Sequence, residues 1–222
     1  MCEAEPLPTS RSVNSSAGAV SPQLVANPGC YPTSVLLPLI PLLRAGLIEP
    51  SPVIIDSKSG TSGAGRQPKT NLLFSEQHGN FSAYAPGRTH RHVAEINGYL
   101  GRYGNRKTNV VFTPHLLPVK RGILSTIYAR LAGTGTTRSD ILENWRAAYE
   151  GRPFIWIFDE ELPQLAHTTF TNRVAMGCTI SEDTLIIVST LDNLIKGAAG
   201  QAVQNFNRLA GVPETLGMEH LT

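Results

Sequence analysis

The sequence contains one long apolar stretch, from Val35 to Ile48, and any fold of this chain must find cover for it. The stretch has the length of a helix, although Pro38, Pro41 and Arg44 interrupt it. It falls short of the roughly 20 residues that a helix needs to cross a bilayer. We therefore predict a buried core helix in this segment and no association with a membrane.

The heptapeptide Asn27 to Thr33 places a cysteine directly before this helix. Pro28 and Gly29 are typical of a tight turn, and Pro32 suits the first turn of a helix, where a missing N–H costs nothing. Cys30 is therefore predicted at a helix N-terminus, where free N–H groups and the helix dipole lower a thiol pKa of about 8.5 toward neutrality. A small buried cysteine with no reactivity would fit the same motif, and both interpretations stay open at this point.

A thiol nucleophile needs a partner that moves protons at neutral pH, and histidine is suited to this by its unperturbed pKa of about 6.5. The chain has six histidines, at positions 78, 90, 92, 115, 167 and 220. Residue type alone does not select one of them, because a lone histidine is more often structural than catalytic. His115 follows a proline at a strand end and His220 lies in the tail, so we expect both to be peripheral to catalysis.

Composition excludes several classes of function. The net charge is +2 and the Lys and Arg residues are scattered, so nothing indicates a nucleic-acid partner. The N-terminus lacks the basic and apolar regions of a secretory signal. Three cysteines, Cys2, Cys30 and Cys178, are an odd number in such a chain and indicate reduced thiols. We therefore expect a cytoplasmic location.

Short β-branched or aromatic runs alternate unevenly with helical patterns along the chain. Strands are predicted at 53–57, 110–113, 123–131, 154–158 and 185–190, and helices at 33–45, 91–102, 138–150 and 192–210. Thr137 and Asp140 are placed to cap the third helix. This order favours an α+β domain with a mixed or antiparallel sheet covered on one face by helices, rather than repeated βαβ units.

Five blocks resemble, in the same order, those of the N-acetyl-gamma-glutamyl-phosphate reductase family. They are 24–33 around Cys30, 59–66 (SGTSGAGR), 90–96 (HRH followed by Glu95 and Ile96), 112–126 and 192–201 (DNLIKGAAGQ). The resemblance implies a glyceraldehyde-3-phosphate-dehydrogenase-like C-terminal domain, a homo-oligomer and NADP as cofactor. It also implies reduction of an acyl phosphate to an aldehyde through a cysteine thioester, in arginine biosynthesis. A relative that reduces a carrier-bound aminoadipyl phosphate in lysine synthesis would share almost every block.

The same resemblance assigns roles to particular positions. The catalytic residues are Cys30 and His90, with His92 as the alternative base. The implied substrate-binding residues are Asn27, Arg66, His92 and Arg121. The implied cofactor-binding residues are Gly60, Ser62, Gly63 and Asn193. The backbone from Gly60 to Gly65 is also expected to form an anion-binding nest beside Arg66. No residue is assigned to a metal.

The domain organisation is expected to be incomplete by the family's standard, since no Rossmann-type glycine turn is found. Residues 1–21 are predicted to be a disordered or foreign leader. Residues 22–190 are predicted to form the catalytic and dimerisation domain. Residues 191–222 contain the C-terminal helix, which in the family packs on the nucleotide-binding domain.

An apolar stripe on this last helix allows two interpretations. It either covers the sheet or makes the family's contact with the nucleotide-binding domain, in which case it would be exposed here. The stripe comprises Leu194, Ile195, Ala198, Ala199, Ala202, Val203 and Phe206. Two other functions also stay open: a Cys–His hydrolase or acyltransferase that uses no nicotinamide, and an inactive fragment that only pairs with other subunits.

Overall fold

The structure is a computed structural model that describes residues 24–65, 70 and 73–222. The predicted leader and Arg66 lie outside the described residues. Within the described part of the chain, no helix is long and apolar enough to span a membrane.

The α-helices are α1 (Cys30–Ala45), α2 (Phe74–Gln77), α3 (His92–Tyr103), α4 (Arg138–Tyr149), α5 (Leu165–Thr168) and α6 (Gly200–Leu209). A π-helix, Ile195–Ala199, leads directly into α6, and short 3-10 turns occupy Thr61–Ala64 and Glu219–Leu221. The strands are β1 (Ile48–Gly60), β2 (Ser82–Ala83), β3 (Val110–Leu117), β4 (Ile123–Leu131), β5 (Ile155–Ile157), β6 (Val174–Ser181) and β7 (Thr184–Leu191).

The strands form a single mixed sheet in the order β2-β3-β1-β4-β7-β6-β5. The pairs β1–β3 and β5–β6 are parallel, whereas the other neighbouring strands are antiparallel. The predicted α+β class with a mixed sheet is confirmed. The predicted capping of α4 is also confirmed, since Thr137 and Asp140 exchange hydrogen bonds between side chains and backbone.

Helix α1 runs through the core and contains both prolines without ending at either of them. Pro41 cannot donate the N–H that would normally bond to the carbonyl of Leu37 four residues earlier. The hydroxyl of Tyr149 donates to that carbonyl instead, at 2.5 Å. Trp145 donates its indole N–H to the carbonyl of Pro38, at 2.9 Å. Helix α4 thus replaces the donor that Pro41 lacks and adds a second hydrogen bond to this proline-containing helix.

A small polar cluster ties α1 to the middle of the sheet. The hydroxyl of Ser125 on β4 lies 2.7 Å from that of Ser34 on α1 and 2.7 Å from that of Ser57 on β1. All three serines are fully buried, and each hydroxyl can both donate and accept. The cluster therefore satisfies its own hydrogen bonds and fixes α1 over β1 and β4.

The structure contains elements that the sequence did not predict, namely β2, α2, α5 and β6, and its last helix begins differently. Strand β6 was not predicted, because its first half, Val174 to Cys178, is rich in Ala, Met and Gly rather than in β-branched residues. The last helix starts as a π-helix rather than at residue 192. Asp192 precedes it and accepts the backbone N–H groups of Leu194 and Ile195 with one carboxylate oxygen, so it acts as a cap.

The apolar stripe of the last helix does not cover the sheet. Phe206 is 68% exposed and Val203 is 41% exposed. The buried side of α6 is polar and includes Gln201, Asn205 and Asn207. The first of the two interpretations of the stripe is therefore wrong, because this helix is turned with its amide side chains toward the rest of the described chain.

The close approach of Gly197 to Cys30 generates a stability prediction. A Cβ built on Gly197 would lie 2.6 Å from the Cβ of Cys30, whereas one built on Gly98 of α3 would meet nothing within 4 Å. We expect Gly197→Ala to lower the free energy of unfolding by about 1–3 kcal/mol, because the packing must shift. The matched variant Gly98→Ala should raise it by about 0.5–1 kcal/mol through helix propensity.

Urea unfolding of both variants measures the difference. Equal stability of the two would contradict a tight contact at Gly197.

Candidate active site

A cleft of about 580 Å³ opens at the N-terminus of α1. It brings together five of the predicted site residues: Cys30, His90, His92, Gly60 and Gly63. They come from the start of α1, the end of β1, the turn after it and the start of α3. The sequence blocks that are far apart along the chain thus meet at one place.

Cys30 is the first residue of α1, as predicted. The carbonyl of Gly29 accepts the N–H and the hydroxyl of Thr33, at 3.0 and 2.9 Å, which closes the first turn of the helix. The N–H of Gly29 donates to a carboxylate oxygen of Glu95, at 3.0 Å. Glycine is required at position 29 because a Cβ there would lie 2.7 Å from Nε2 of His92.

The expected fall in the thiol pKa is not what this environment produces. Burial raises the pKa of Cys30 above its ordinary value, and the negative charge of Glu95 adds to this. The backbone N–H groups at Tyr31 and Cys30, with the positive charge of Arg91, act in the opposite direction but do not outweigh burial. The helix N-terminus is present as predicted, but the loss of hydration is the larger effect.

The two histidines form a pair at the start of α3. The N–H of His92 donates to Nδ1 of His90, at 3.2 Å. Burial, with a contribution from Arg91, lowers the pKa of His90, so its ring is neutral at pH 7. Because Nδ1 accepts, we assign the ring proton of neutral His90 to Nε2. His90 is thus a hydrogen-bond donor at Nε2.

Rings of three neighbouring residues hold His90 in place. Its centroid lies 5.7 Å from that of Tyr31, 5.8 Å from that of Tyr84 and 5.3 Å from that of Phe112. The hydroxyl groups of Tyr31 and Tyr84 are 2.9 Å apart, and both tyrosines line the cleft. Burial raises the pKa of both phenols, so both are neutral and able to donate.

Arg91 also lines the cleft, and the sequence analysis did not assign it to the site. Its position between His90 and His92, inside the block 90–96, could have indicated that it lies in the site. Tyr31 could likewise have been found from its place next to Cys30. Tyr84 lies outside the five blocks and had no such signal.

The first part of the predicted anion nest, at the turn after β1, is used for other hydrogen bonds. The N–H groups of Gly60, Thr61 and Ser62 donate to the carbonyls of Gly122, Val119 and Lys120. These donors are therefore committed to the 119–122 loop. Glycine suits position 60 for a steric reason, because a Cβ there would lie 2.8 Å from the backbone nitrogen of Arg121.

Four other predicted site residues make structural contacts and do not line the cleft. Asn193 accepts the N–H of Gly122 at 2.7 Å and donates to the hydroxyl of Ser62 at 3.0 Å. It therefore holds the β1 turn against the loop that precedes β4. Ser62 and Asn193 are thus hydrogen-bonded within the described chain, and their expected role in binding the cofactor stays a prediction.

Arg121 pairs with the buried carboxylate of Asp192 at 3.1 Å and lies over the ring of Phe170, 4.9 Å from its centroid. Asn27 accepts a hydrogen bond from Asn205 at 2.8 Å and donates to the carbonyl of Ala198 at 3.0 Å. Both side chains thus fasten the last helix rather than face the cleft. The structure does not bring Asn27 or Arg121 to the cleft wall, and the expected contacts of these two side chains with substrate stay predictions.

The turn after β1 offers a dinucleotide few of its groups. Gly60 and Gly63 line the cleft, but a Cβ on Gly60 would meet the backbone of Arg121 and one on Gly63 the hydroxyl of Ser59, so their bare sides face the protein. The N–H groups of Gly60, Thr61 and Ser62 are occupied and are not available to the cofactor's phosphates. Among the described residues, no cluster of three or more His, Cys, Asp or Glu side chains could hold a metal ion.

The burial of His92 predicts a loss of stability in mild acid. His92 is 7% exposed, and burial lowers its pKa from 6.5 to about 4, with help from His90 and Arg91. Between these values the unfolded chain binds a proton that the folded chain does not. We expect this to reduce the free energy of unfolding by about 2–3 kcal/mol as pH falls from about 6.5 to 4.

Chemical denaturation of the wild type and of His92→Gln between about pH 6.5 and 4 measures this loss. The free energy of unfolding of the variant should fall less in acid, whereas an identical fall in both proteins would contradict the role of His92.

This chain resembles known proteins over most of its length. The family model described as semialdehyde dehydrogenase, dimerisation domain, matches residues 30–193. The chain is 47% identical over 201 residues to an N-acetyl-gamma-glutamyl-phosphate reductase of Geobacter sp. (strain M21) and 49% identical to that of Geobacter metallireducens. Each match covers 89% of this chain and 58% of the relative. The chain thus spans well under two thirds of the length of these relatives.

Solved structures agree on the fold. An aspartate semialdehyde dehydrogenase II from Vibrio cholerae superposes with a TM-score of 0.66 at 18% identity, covering 84% of this chain and 62% of the other. A probable aspartate-semialdehyde dehydrogenase from Pseudomonas aeruginosa gives a TM-score of 0.68 at 15% identity, covering 87% and 64%. The expected glyceraldehyde-3-phosphate-dehydrogenase-like C-terminal domain is thereby confirmed.

The ordered sequence blocks and the mixed sheet point to the same family as the family model, which matches the 164 residues from Cys30 to Asn193. The chain therefore belongs to the semialdehyde dehydrogenase dimerisation-domain family, and its curated relatives at close to half identity are N-acetyl-gamma-glutamyl-phosphate reductases.

Proposed function

We propose that this chain is the catalytic portion of a cytoplasmic enzyme that reduces N-acetyl-gamma-glutamyl phosphate to N-acetylglutamate semialdehyde with NADPH, in arginine biosynthesis. The single observation that carries the proposal is the cleft in which Cys30, at the start of α1, meets His90 and Arg91. The names of the relatives support the choice of substrate, although the chain spans only 58% of their length.

Cys30 is the nucleophile in the first step. Its sulfur bonds to the acyl carbon while the carbon–oxygen bond to phosphate breaks, and the departing phosphate takes the thiol proton. Arg91 supplies a positive charge in the cleft, which suits the phosphate and also favours the thiolate. The product of this step is a thioester on Cys30 and free phosphate.

His90 acts on the oxygen of the reacting carbonyl. Its Nε2–H donates to that oxygen as negative charge develops on it. NADPH, when bound, supplies the hydride that reduces the thioester carbon. The resulting oxyanion, still hydrogen-bonded to His90, collapses as the carbon–oxygen double bond re-forms and the carbon–sulfur bond breaks. This releases the aldehyde and leaves a thiolate on Cys30, which takes a proton from solvent.

The assigned tautomer of His90 argues against a Cys–His hydrolase. Such an enzyme needs an imidazole nitrogen that accepts the thiol proton, oriented by a third group on the other nitrogen. In this structure Nδ1 of His90 is occupied by the N–H of His92 and the remaining nitrogen carries a proton. The arrangement suits donation to a substrate oxygen better than abstraction from Cys30.

The first half-reaction can be tested without a nicotinamide. We expect wild-type protein mixed with N-acetyl-gamma-glutamyl phosphate to release about one equivalent of phosphate and to gain one acyl group on Cys30. Intact-mass spectrometry and a phosphate assay measure both. His90→Asn should slow acylation by about 10²-fold, since it loses a donor to the developing oxyanion.

Cys30→Ser should abolish acylation, and Cys178→Ser, which alters a buried thiol, serves as the matched control. Wild-type protein that gains no acyl group would refute the proposed function. Repeated phosphate release without NADPH would identify a hydrolase instead.

We further propose that the last helix, within residues 191–222, meets a nucleotide-binding domain of the kind found in the family, as the domain division in the sequence analysis implies. The exposure of Val203, Phe206 and Leu209 on one side of α6 supports this. The greater length of the relatives supports it as well. The remaining residues, 22–190, would then be the catalytic and dimerisation domain.

The open face of the sheet supports a homodimer. A row of apolar side chains, Val111, Ile54, Tyr128 and Ile186, runs in register across β3, β1, β4 and β7. Three of them are exposed, Val111 and Ile54 at 43% each and Tyr128 at 36%. An exposed apolar row of this kind is typical of a protein interface. The description of the matching family as a dimerisation domain supports the same conclusion.

Sedimentation velocity tests the dimer. Tyr128→Asp places a charge in the middle of the row, and we expect it to shift the protein from dimer to monomer. Phe206→Asp, on the other exposed apolar surface, should leave the dimer intact. Dissociation by Phe206→Asp but not by Tyr128→Asp would place the interface on α6 instead.

A further inference from the structure

Glu95 links the helix that carries the histidine pair to the turn that carries Cys30. It lies on α3, one helical turn after His92. Its carboxylate accepts the N–H of Gly29, the residue immediately before Cys30, at 3.0 Å. A backbone donor bound to a carboxylate is a charge-assisted hydrogen bond, about twice as strong as a neutral one.

The same helix also stops Gly29 from moving closer. The ring of His92 stands where a side chain at position 29 would be, 2.7 Å from the ideal Cβ position. One hydrogen bond therefore holds Gly29 to α3 and one steric contact limits its approach. The carbonyl of Gly29 accepts hydrogen bonds from Thr33 inside α1. Its N–H donates to Glu95, and this bond joins the residue to α3.

Charge gives Glu95 a second effect on the thiol. The titratable groups around Cys30 are Arg91 and Glu95, the two histidines, the phenols of Tyr31 and Tyr84, and Glu76, which lines the same cleft. The histidines and phenols are neutral at pH 7 because burial disfavours their charged forms. The charges that shift the pKa of the thiol are those of Arg91 and Glu95, in opposite directions.

We propose that Glu95 is a positioning residue for Cys30: by accepting the Gly29 N–H, it fixes the turn that carries the thiol against the helix that carries His90 and His92. The role in catalysis rests on the proposed function, but the positioning itself does not. In addition, the negative charge of Glu95 opposes ionisation of the thiol and so lowers its reactivity in the absence of substrate.

The test measures alkylation of Cys30 by iodoacetamide from about pH 6 upward until the rate levels off, by mass spectrometry of the peptide that contains it. Glu95→Gln keeps an oxygen that can accept the Gly29 N–H but removes the charge. We expect its rate curve to shift to lower pH, with severalfold faster alkylation near neutrality and an unchanged plateau at high pH.

Glu95→Ala removes both the charge and the acceptor. We expect its curve to show the same shift together with a different plateau, because the turn is no longer held. The matched control is Glu143→Gln, which removes an exposed carboxylate on α4 that does not line the cleft. It should reproduce the wild-type curve. Circular dichroism confirms that all three variants fold.

If Glu95→Gln gave the same curve of alkylation rate against pH as the wild type, the effect of the Glu95 charge on the thiol would be overturned. If Glu95→Ala and Glu95→Gln reached the same plateau rate, the positioning role would be overturned. The experiment contains neither acyl phosphate nor nicotinamide. If Cys30 fails to accept an acyl group but the curves shift as expected, the proposed function is wrong and this inference stands.

Discussion

The hydrogen bonds from α4 to the proline-containing segment of α1 make the rest of the structure possible. A helix that lacks internal donors can be buried only if its freed carbonyl groups find other partners. Tyr149 supplies such a partner at Leu37, whose carbonyl Pro41 frees, and Trp145 adds a hydrogen bond to the carbonyl of Pro38. Because α1 can then lie inside the apolar core, one face of the sheet is covered, and the N-terminus of the helix arrives at the edge of the cleft.

The reactivity of Cys30 is a balance that this placement decides. The N-terminus of a helix favours a thiolate, and partial burial among tyrosine and histidine rings disfavours it. Burial is the larger effect for the described chain, so the thiol is held mainly in its protonated form. In the proposed reaction, the phosphate of the substrate enters beside Arg91 and takes the thiol proton as it leaves. Without substrate, the thiol would therefore react slowly with other electrophiles.

The sequence was sufficient for the parts of the fold and site that depend on local chemistry. The turn at Pro28 and Gly29 predicted the position of Cys30, and Thr137 predicted the start of α4. The errors arose where distant segments compete for the same groups. The donors of the turn after Gly60 are taken by carbonyls about 60 residues away, and no local pattern reports that. The orientation of the last helix likewise depends on amide contacts to Asn27, at the other end of the described chain.

The contact between Gly197 and Cys30 means that the last helix forms part of the wall behind the nucleophile. The π-helical turn at this point joins a glycine that contacts Cys30 to a helix whose apolar side faces outward. A displacement of this helix would therefore reach the thiol-bearing residue through a single contact. In the proposed enzyme, the position of Cys30 would thus depend on whether a nucleotide-binding domain is docked on the outward side.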